Sequence, residues 1–357
     1  MPLFAQTADM TSPLLGVMIF TLGGLAGAIF YLPFKKVKNW AWESYWMIYA
    51  VVGLLIVPWV LAFSTSPNVI SVIKAAPMEQ VGYCFLCGMA WGFGGLTWGL
   101  MIRYLGVGLG LALGCGLCSA AGTIVPPIIK GTFADLLQSS SGIASLVGVA
   151  VSLVGIVLVG GAGMSKEAEL PEAQKKAAVA EFNFKKGILV VIFSGLMSAA
   201  MNFGLQGGST IEELALSTAP QTSNTWRGMP VLAVVLLGGF VVNGGWCLIL
   251  NLKNKTIGDY GKAAAPLTGN FFFAAIAGAI WCSQFICLKT GEPAMGAIKY
   301  IGFAVLLASA ILFSSLLGIL LGEWKNTSGR TRGLLALGLA FLVLSSVVSA
   351  YSGYLGK

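Results

Sequence analysis

The sequence predicts an all-α integral membrane protein with ten transmembrane helices in two inverted five-helix repeats, and three observations predict it. Charged residues make up 10% of the 357 residues and hydrophobic ones 57%, with a mean hydropathy of +0.87. Soluble chains carry about 25% charged residues, so these charges cannot cover a water-soluble globule of this length. Apolar runs close to the ~20 residues needed to cross the hydrocarbon recur along the whole chain. Finally, motifs in the first half return in the second half in the same order.

The spans read in order as 13–34, 43–63, 79–101, 106–125 and 142–163, then 187–206, 228–251, 268–288, 294–321 and 333–355. No charged segment with a cleavage site precedes the first run, so it reads as a retained helix. Between the two groups lies "SKEAELPEAQKKAAVAEFNFKK" (165–186), the longest charged stretch. The chain therefore divides into a first repeat, 1–164, a linker, 165–186, and a second repeat, 187–357.

Basic residues set the orientation. With both termini on one side, that side holds six of the 21 Lys and Arg residues and the other holds fifteen, including Lys35, Lys36 and Lys38. Lys and Arg in loops favour the cytoplasm. The linker and the lysine triplet are accordingly expected inside the cytoplasmic (inner) membrane, and both termini outside. Trp40, Trp42 and Trp46, beside the triplet, fit an aromatic belt at the headgroups. The net charge of +8 suits this loop bias, and no basic stripe exists to bind nucleic acid.

The repeat is legible in two alignments. "GVMIFTLGGLAGAIFYLPF" (16–34) lies without gaps on "GILVVIFSGLMSAAMNFGL" (187–205), and "GMAW" (88–91) lies on "GAIW" (278–281). Five spans per half make the second copy enter from the opposite face, an architecture used by alternating-access carriers.

Other motifs have plain readings. Cys84-x-x-Cys87 and Cys115-x-x-Cys118 lie inside apolar spans, where i,i+3 cysteines share a helix face, so no metal site is expected. Gly106, Gly110, Gly114, Cys118 and Gly122 form a small-residue stripe that lets helices approach closely. The chain has no histidine, which removes the commonest general base and triad member. No nucleophile and base are clustered, so the chain does not read as an enzyme, and no cofactor is expected.

The uncharged polar and aromatic residues of the spans remain: Tyr31, Trp91, Asn202, Gln206, Asn243, Trp281 and Gln284. Asn202 and Gln206 share one helix face, as do Trp281 and Gln284. Polar amides in lipid need a partner or a cavity. Interhelical bonding is one reading of them. A cavity for an uncharged hydroxylated solute is the other, with amides bonding hydroxyls and indole faces stacking on the C–H surface of a sugar.

Six stretches resemble a known family: "FYLPFKKVKNWAWE" (30–43), "GMAWGFGG" (88–95), "RYLG" (103–106), "PPIIKGTF" (126–133), "EFNFKKG" (181–187) and "EWKNTSGR" (323–330). The chain is similar along its full length to the L-rhamnose–proton symporters of the drug/metabolite transporter superfamily. The resemblance implies ten helices and proton-driven uptake of L-rhamnose or a related deoxyhexose. A carrier of another metabolite or drug on this fold, possibly an exporter, is the alternative. The expected partners are a small sugar, a proton and the lipid bilayer; the oligomeric state stays open. Without histidine, proton coupling falls to a carboxylate or a polar network. Glu43 and Glu292, at span edges, are the candidates, and the family-like stretch places Glu43 first.

Overall fold

A computed structural model describes residues 12–105, 107–169, 171, 183–320, 322, 324–352 and 354–355. Helix α1 spans Pro13–Ile29, and Ser12 opens it by accepting a hydrogen bond from the Leu15 N–H at 3.4 Å. A 3-10 turn at Pro33–Lys36 leads through the lysine hinge to α2 (Trp42–Ala50), which continues through a π-helical stretch, Val51–Ile56, into α3 (Val57–Thr65). The short α4 (Val69–Ala75) precedes α5 (Met78–Leu105) and α6 (Val107–Ile129). Then come α7 (Phe133–Gln138) and α8 (Ser140–Ala168), the latter capped by the Ser139 hydroxyl on the Gly142 N–H at 3.0 Å.

In the second half, Asn183 caps α9 (Phe184–Gly207), and α10 (Ser209–Ser217) follows at once. The remaining helices are α11 (Met229–Lys253), α12 (Leu267–Met295), α13 (Gly302–Leu320) and α14 (Gly329–Ser352). Among the described residues there is no strand, and eight helices are long and apolar enough to cross a membrane. The protein is an all-α, multi-pass membrane protein.

The halves interlock. Helix α1 packs on α12 and α13, while α9 packs on α5 and α6; α8 lies along α14, and α2 and α3 lie on α11. Glycines permit these contacts. A Cβ at Gly88 would strike the Val235 carbonyl of α11, and one at Gly278 would strike the Tyr49 carbonyl. The small-residue stripe of α6 behaves in kind: Gly114 faces Met101, and Gly122 faces Phe303 and Asn202. Gly106 lies outside the described residues.

Two expectations change. The predicted break between spans 268–288 and 294–321 falls later: α12 runs unbroken to Met295 with Pro293 inside it, and the chain turns at Gly296, whose φ of 58° suits glycine. Trp46 does not belong to a lipid-facing belt, because its indole N–H points inward to Asn243 Oδ1 at 3.2 Å. Trp40 is partly exposed and packs edge-on against Tyr260 and Phe271 at 5.5 and 4.9 Å.

The lysine hinge docks on the second half. Lys38 and Asn270 exchange two hydrogen bonds, of 3.0 Å to Asn270 Oδ1 and 2.8 Å to the Lys38 carbonyl. Asn39 turns the chain with φ 58° and donates to the Ala264 carbonyl at 3.1 Å. Asp259 Oδ2 accepts from the Ala41 N–H and the Ser44 hydroxyl, both at 2.8 Å. At the opposite end Ser66 and Thr222 bond at 2.7 Å, and Asn68 donates to the Ala219 carbonyl.

Candidate substrate and ion-coupling site

The aromatic part of the site is a ladder. Trp91 of α5 and Trp281 of α12 stack with centroids 5.0 Å apart and an interplanar angle of 29°. Trp281 meets Phe285 at 5.0 Å and Tyr49 at 5.9 Å, and Tyr49 meets Trp46 at 4.5 Å. Both ladder tryptophans follow a close-packed glycine by three residues, so the two Gly-x-x-Trp motifs set the two rings face to face. Asn243 joins through Trp46 and donates to the Gly239 carbonyl at 3.0 Å. Gln284 is buried and donates to the Trp281 carbonyl at 3.0 Å. Its Oε1 faces Gly27 of α1.

Asn202 is fully buried on the seam between α9 and α6, where its amide N–H donates to the Gly122 carbonyl. Among the described residues its Oδ1 has no partner, nor do the hydroxyls of Ser119 and Thr123 on α6. Such buried unpaired acceptors are costly, and a hydroxyl-bearing solute would satisfy them.

Tyr31 stands apart from these groups. It is 48% exposed and packs edge-on against Phe34 at 5.2 Å, at the hinge end of the aromatic ladder.

Gln206 belongs to a second, ionic part of the site. Its amide donates to Glu292 Oε1 at 3.3 Å, while Glu292 Oε2 meets Lys289 Nζ at 2.5 Å. The same ammonium pairs with Glu212 Oε1, and Arg227 Nε lies 3.6 Å from Glu212 Oε2. Glu212, Lys289 and Glu292 are all buried. Beside them a cavity of about 390 Å³ opens between the ends of α5, α6 and α9, lined in part by Glu79, Tyr83, Lys130, Phe203 and Gln206. Lys130 Nζ donates to the Gln206 carbonyl at 2.8 Å, closing one wall.

Glu43 lies elsewhere, in the first turn of α2, where the helix dipole favours a carboxylate. It is buried and accepts from Asn254 Nδ2 and Thr256 Oγ1, both at 2.9 Å. Outside the spans, Glu169 joins the end of α8 to the start of α14. Hydrogen bonds from Ser328 and Thr331 hold its carboxyl at about 2, below the usual range.

The structure thus brings Trp91, Trp281, Gln284 and Asn243 together, sets Gln206 beside Glu292, and leaves Tyr31 and Glu43 at the hinge end. Sequence reasoning missed Trp46, Tyr49, Glu212, Arg227, Lys130 and Lys289. A signal existed for one of them: Lys289 and Glu292 stand at i,i+3, a spacing that pairs opposite charges on a helix. The Gly291-Glu292-Pro293 run disguised it as a loop.

A multi-pass helical protein whose interior holds amides, stacked indoles, an ion cluster and a cavity is built as a membrane carrier. The chain matches the family described as L-rhamnose-proton symport protein (RhaT) over residues 10–353. Among its relatives, the L-rhamnose-proton symporter of Klebsiella pneumoniae is 30% identical over 336 residues, which covers 93% of this chain and 96% of the relative. That of Cronobacter sakazakii is 31% identical over 93% and 95% of the two chains, and that of Escherichia coli 30% over 93% and 96%. The chain belongs to the L-rhamnose-proton symport protein family. It is a family of transporters, not of enzymes.

Proposed function

We propose that this protein is a secondary active carrier of the cytoplasmic membrane that imports L-rhamnose, or a related deoxyhexose, together with protons. The observation that carries the reading is the Trp91–Trp281 stack, one ring from each half, beside the amides of Asn243 and Gln284. An indole face offers a flat apolar surface for the C–H side of a sugar ring, and the amides offer donors and acceptors for its hydroxyls. Asn202, with an unpaired acceptor, and Gln206, at the cavity wall, extend the polar path; Tyr31 is the contact nearest the hinge end.

The helices are arranged, in this reading, as ten spans in two inverted repeats, 1–164 and 187–357, with 165–186 as a cytoplasmic linker. Packing supports it. Exchanging the halves turns the contacts of α1 with α12 and α13 into those of α9 with α5 and α6. The two hinge contacts, at Lys38–Asn270 and Ser66–Thr222, fall at opposite ends, as a two-fold axis in the membrane plane requires. Such halves rock about a central site. The fifteen basic residues of the hinge side support an orientation with that side in the cytoplasm and both termini outside. A cytoplasm-dependent reporter fused after Lys357 should stay inactive.

Of the two coupling candidates, the geometry favours Glu292. Its carboxylate contacts an ammonium and a cavity-lining amide, whereas Glu43 is held by neutral donors between the halves. The test is uptake of labelled L-rhamnose into proteoliposomes. An inward proton gradient should raise accumulation above equilibrium, and a protonophore should abolish the excess. Uptake indifferent to the gradient would overturn proton coupling, and no L-rhamnose uptake at all would overturn the substrate.

A further inference from the structure

The ion cluster is asymmetric in a way that assigns a proton. Both oxygens of Glu212 face cations, Oε1 toward Lys289 and Oε2 toward Arg227 at 3.6 Å. Glu292 has a cation on Oε2 only; its Oε1 meets the amide of Gln206 at 3.3 Å. Since both carboxylates contact one ammonium, they also repel each other at close range in a buried setting, where the force is strong. The charge held least firmly is therefore that on Glu292 Oε1.

Other charged and titratable groups surround the pair: Lys299 on the 3-10 turn after α12, Lys130 at the end of α6 and Cys84 on α5. Lys130 is engaged with the Gln206 carbonyl and Cys84 with the Gly204 carbonyl at 3.3 Å. Neither is bonded to Glu292 Oε1, whose hydrogen-bond partner among the described residues is the Gln206 amide.

We propose that Glu292 Oε1 carries the coupling proton, that Glu212 is the fixed counter-anion keeping Lys289 shared, and that Gln206 reports sugar occupancy to Glu292. The proposal rests on the symport reading above. Its working parts follow from hydrogen-bond chemistry. Ionised, Oε1 accepts from the Gln206 amide at the cavity wall and keeps that donor from a solute in the cavity. When a proton from cavity water settles on Oε1, that oxygen no longer needs the amide, and Gln206 turns to a sugar hydroxyl. A sugar bound to Gln206 in turn withdraws a donor from Glu292 and favours its protonated form. Linkage makes the two effects equal in size. Release on the far side reverses both steps and returns the proton to water.

The experiment compares variants in two ways. In proteoliposomes, Glu292→Gln should keep exchange of labelled L-rhamnose at equilibrium but lose accumulation under a proton gradient, falling to an in/out ratio of one. Glu212→Gln should leave Lys289 to Glu292 alone and move the pH profile of driven uptake toward acid. Independently of any sugar, the infrared carbonyl band of a protonated buried carboxyl should titrate in wild-type membranes, persist in Glu43→Gln and vanish in Glu292→Gln. A band that remains in Glu292→Gln, or wild-type accumulation with an unchanged pH profile, overturns the proposal. So does loss of exchange in both Glu292→Gln and the charge-balanced pair Lys289→Met/Glu292→Gln, because that assigns the cluster to folding. Absence of L-rhamnose exchange in wild type tells against the substrate reading, and the infrared arm then decides the proton site alone.

Discussion

Two buried carboxylate sites lie at opposite ends of α12. At one end Glu43 accepts hydrogen bonds from Asn254 and Thr256. Near the far end of α12, 25 residues after its first residue Leu267 and so about 38 Å along the helix at 1.5 Å per residue, Glu292 shares Lys289 with Glu212. Neutral donors and a helix N-terminus solvate Glu43 without any buried counter-charge, so its charge can stay constant while the halves move. The Glu212–Lys289–Glu292 group has two anions on one cation, and any change in its proton count alters the balance of the whole cluster. Burial alone therefore does not mark a coupling residue; the kind of partner does.

The sharpest way to break this comparison is to remove the shared cation. Lys289→Met leaves buried Glu292 without its cation and Glu212 with Arg227 alone, and should destabilise the protein by about 3 kcal/mol or more, as broken buried pairs do. Thermal unfolding in detergent measures it, and adding Glu292→Gln should recover much of the loss. Full stability in Lys289→Met would mean that the cluster is not held as described.

A smaller effect is expected at the other carboxylate. Glu43→Gln keeps an oxygen that can still accept from Asn254 and Thr256, and the change should cost about 1 kcal/mol or less. Sugar-driven proton movement should survive in this variant at near wild-type rates. Were it to fail while Glu292→Gln stayed coupled, the roles assigned to the two ends would have to be exchanged.

Within the sugar site, Asn202 and Asn243 offer a similar contrast. The Asn243 acceptor is already engaged by Trp46, whereas Asn202 Oδ1 is unpaired. Asn202→Ala should weaken L-rhamnose binding by about 1 kcal/mol, roughly fivefold, the net worth of one hydrogen bond. Calorimetric titration reads this directly. An unchanged affinity would remove Asn202 from the site.

The least effect belongs to Glu169, the exposed carboxylate between α8 and α14. Its pKa in the fold, about 2, lies below the usual ~4.3 of a glutamate. Its stabilising contribution is therefore complete above the usual value and fades as pH falls toward 2. Glu169→Gln should unfold at a slightly lower temperature than wild type at neutral pH and match it near pH 2. Equal curves at both pH values would show that the bonds to Ser328 and Thr331 add nothing.

The sequence alone determined the solvent of this protein, its helices and much of its family likeness. Low charge and long apolar runs force helices that satisfy their own backbone in lipid, and Ser12, Ser139 and Asn183 stand where helix starts need them. The aligned Gly88-x-x-Trp91 and Gly278-x-x-Trp281 motifs also marked the aromatic pair, because a glycine at a crossing and a Trp one turn on share a helix face. Only the tertiary structure decided which charges are inside. Lys289 and Glu292 look like loop residues beside Pro293, and Glu212 lies in a short polar helix that no periodicity ties to them. Their burial depends on α10 folding back against the end of α12, a contact between segments nearly 80 residues apart. Hydropathy is a local average; a buried ion cluster exists only once distant, opposite charges meet and cancel the cost of leaving water.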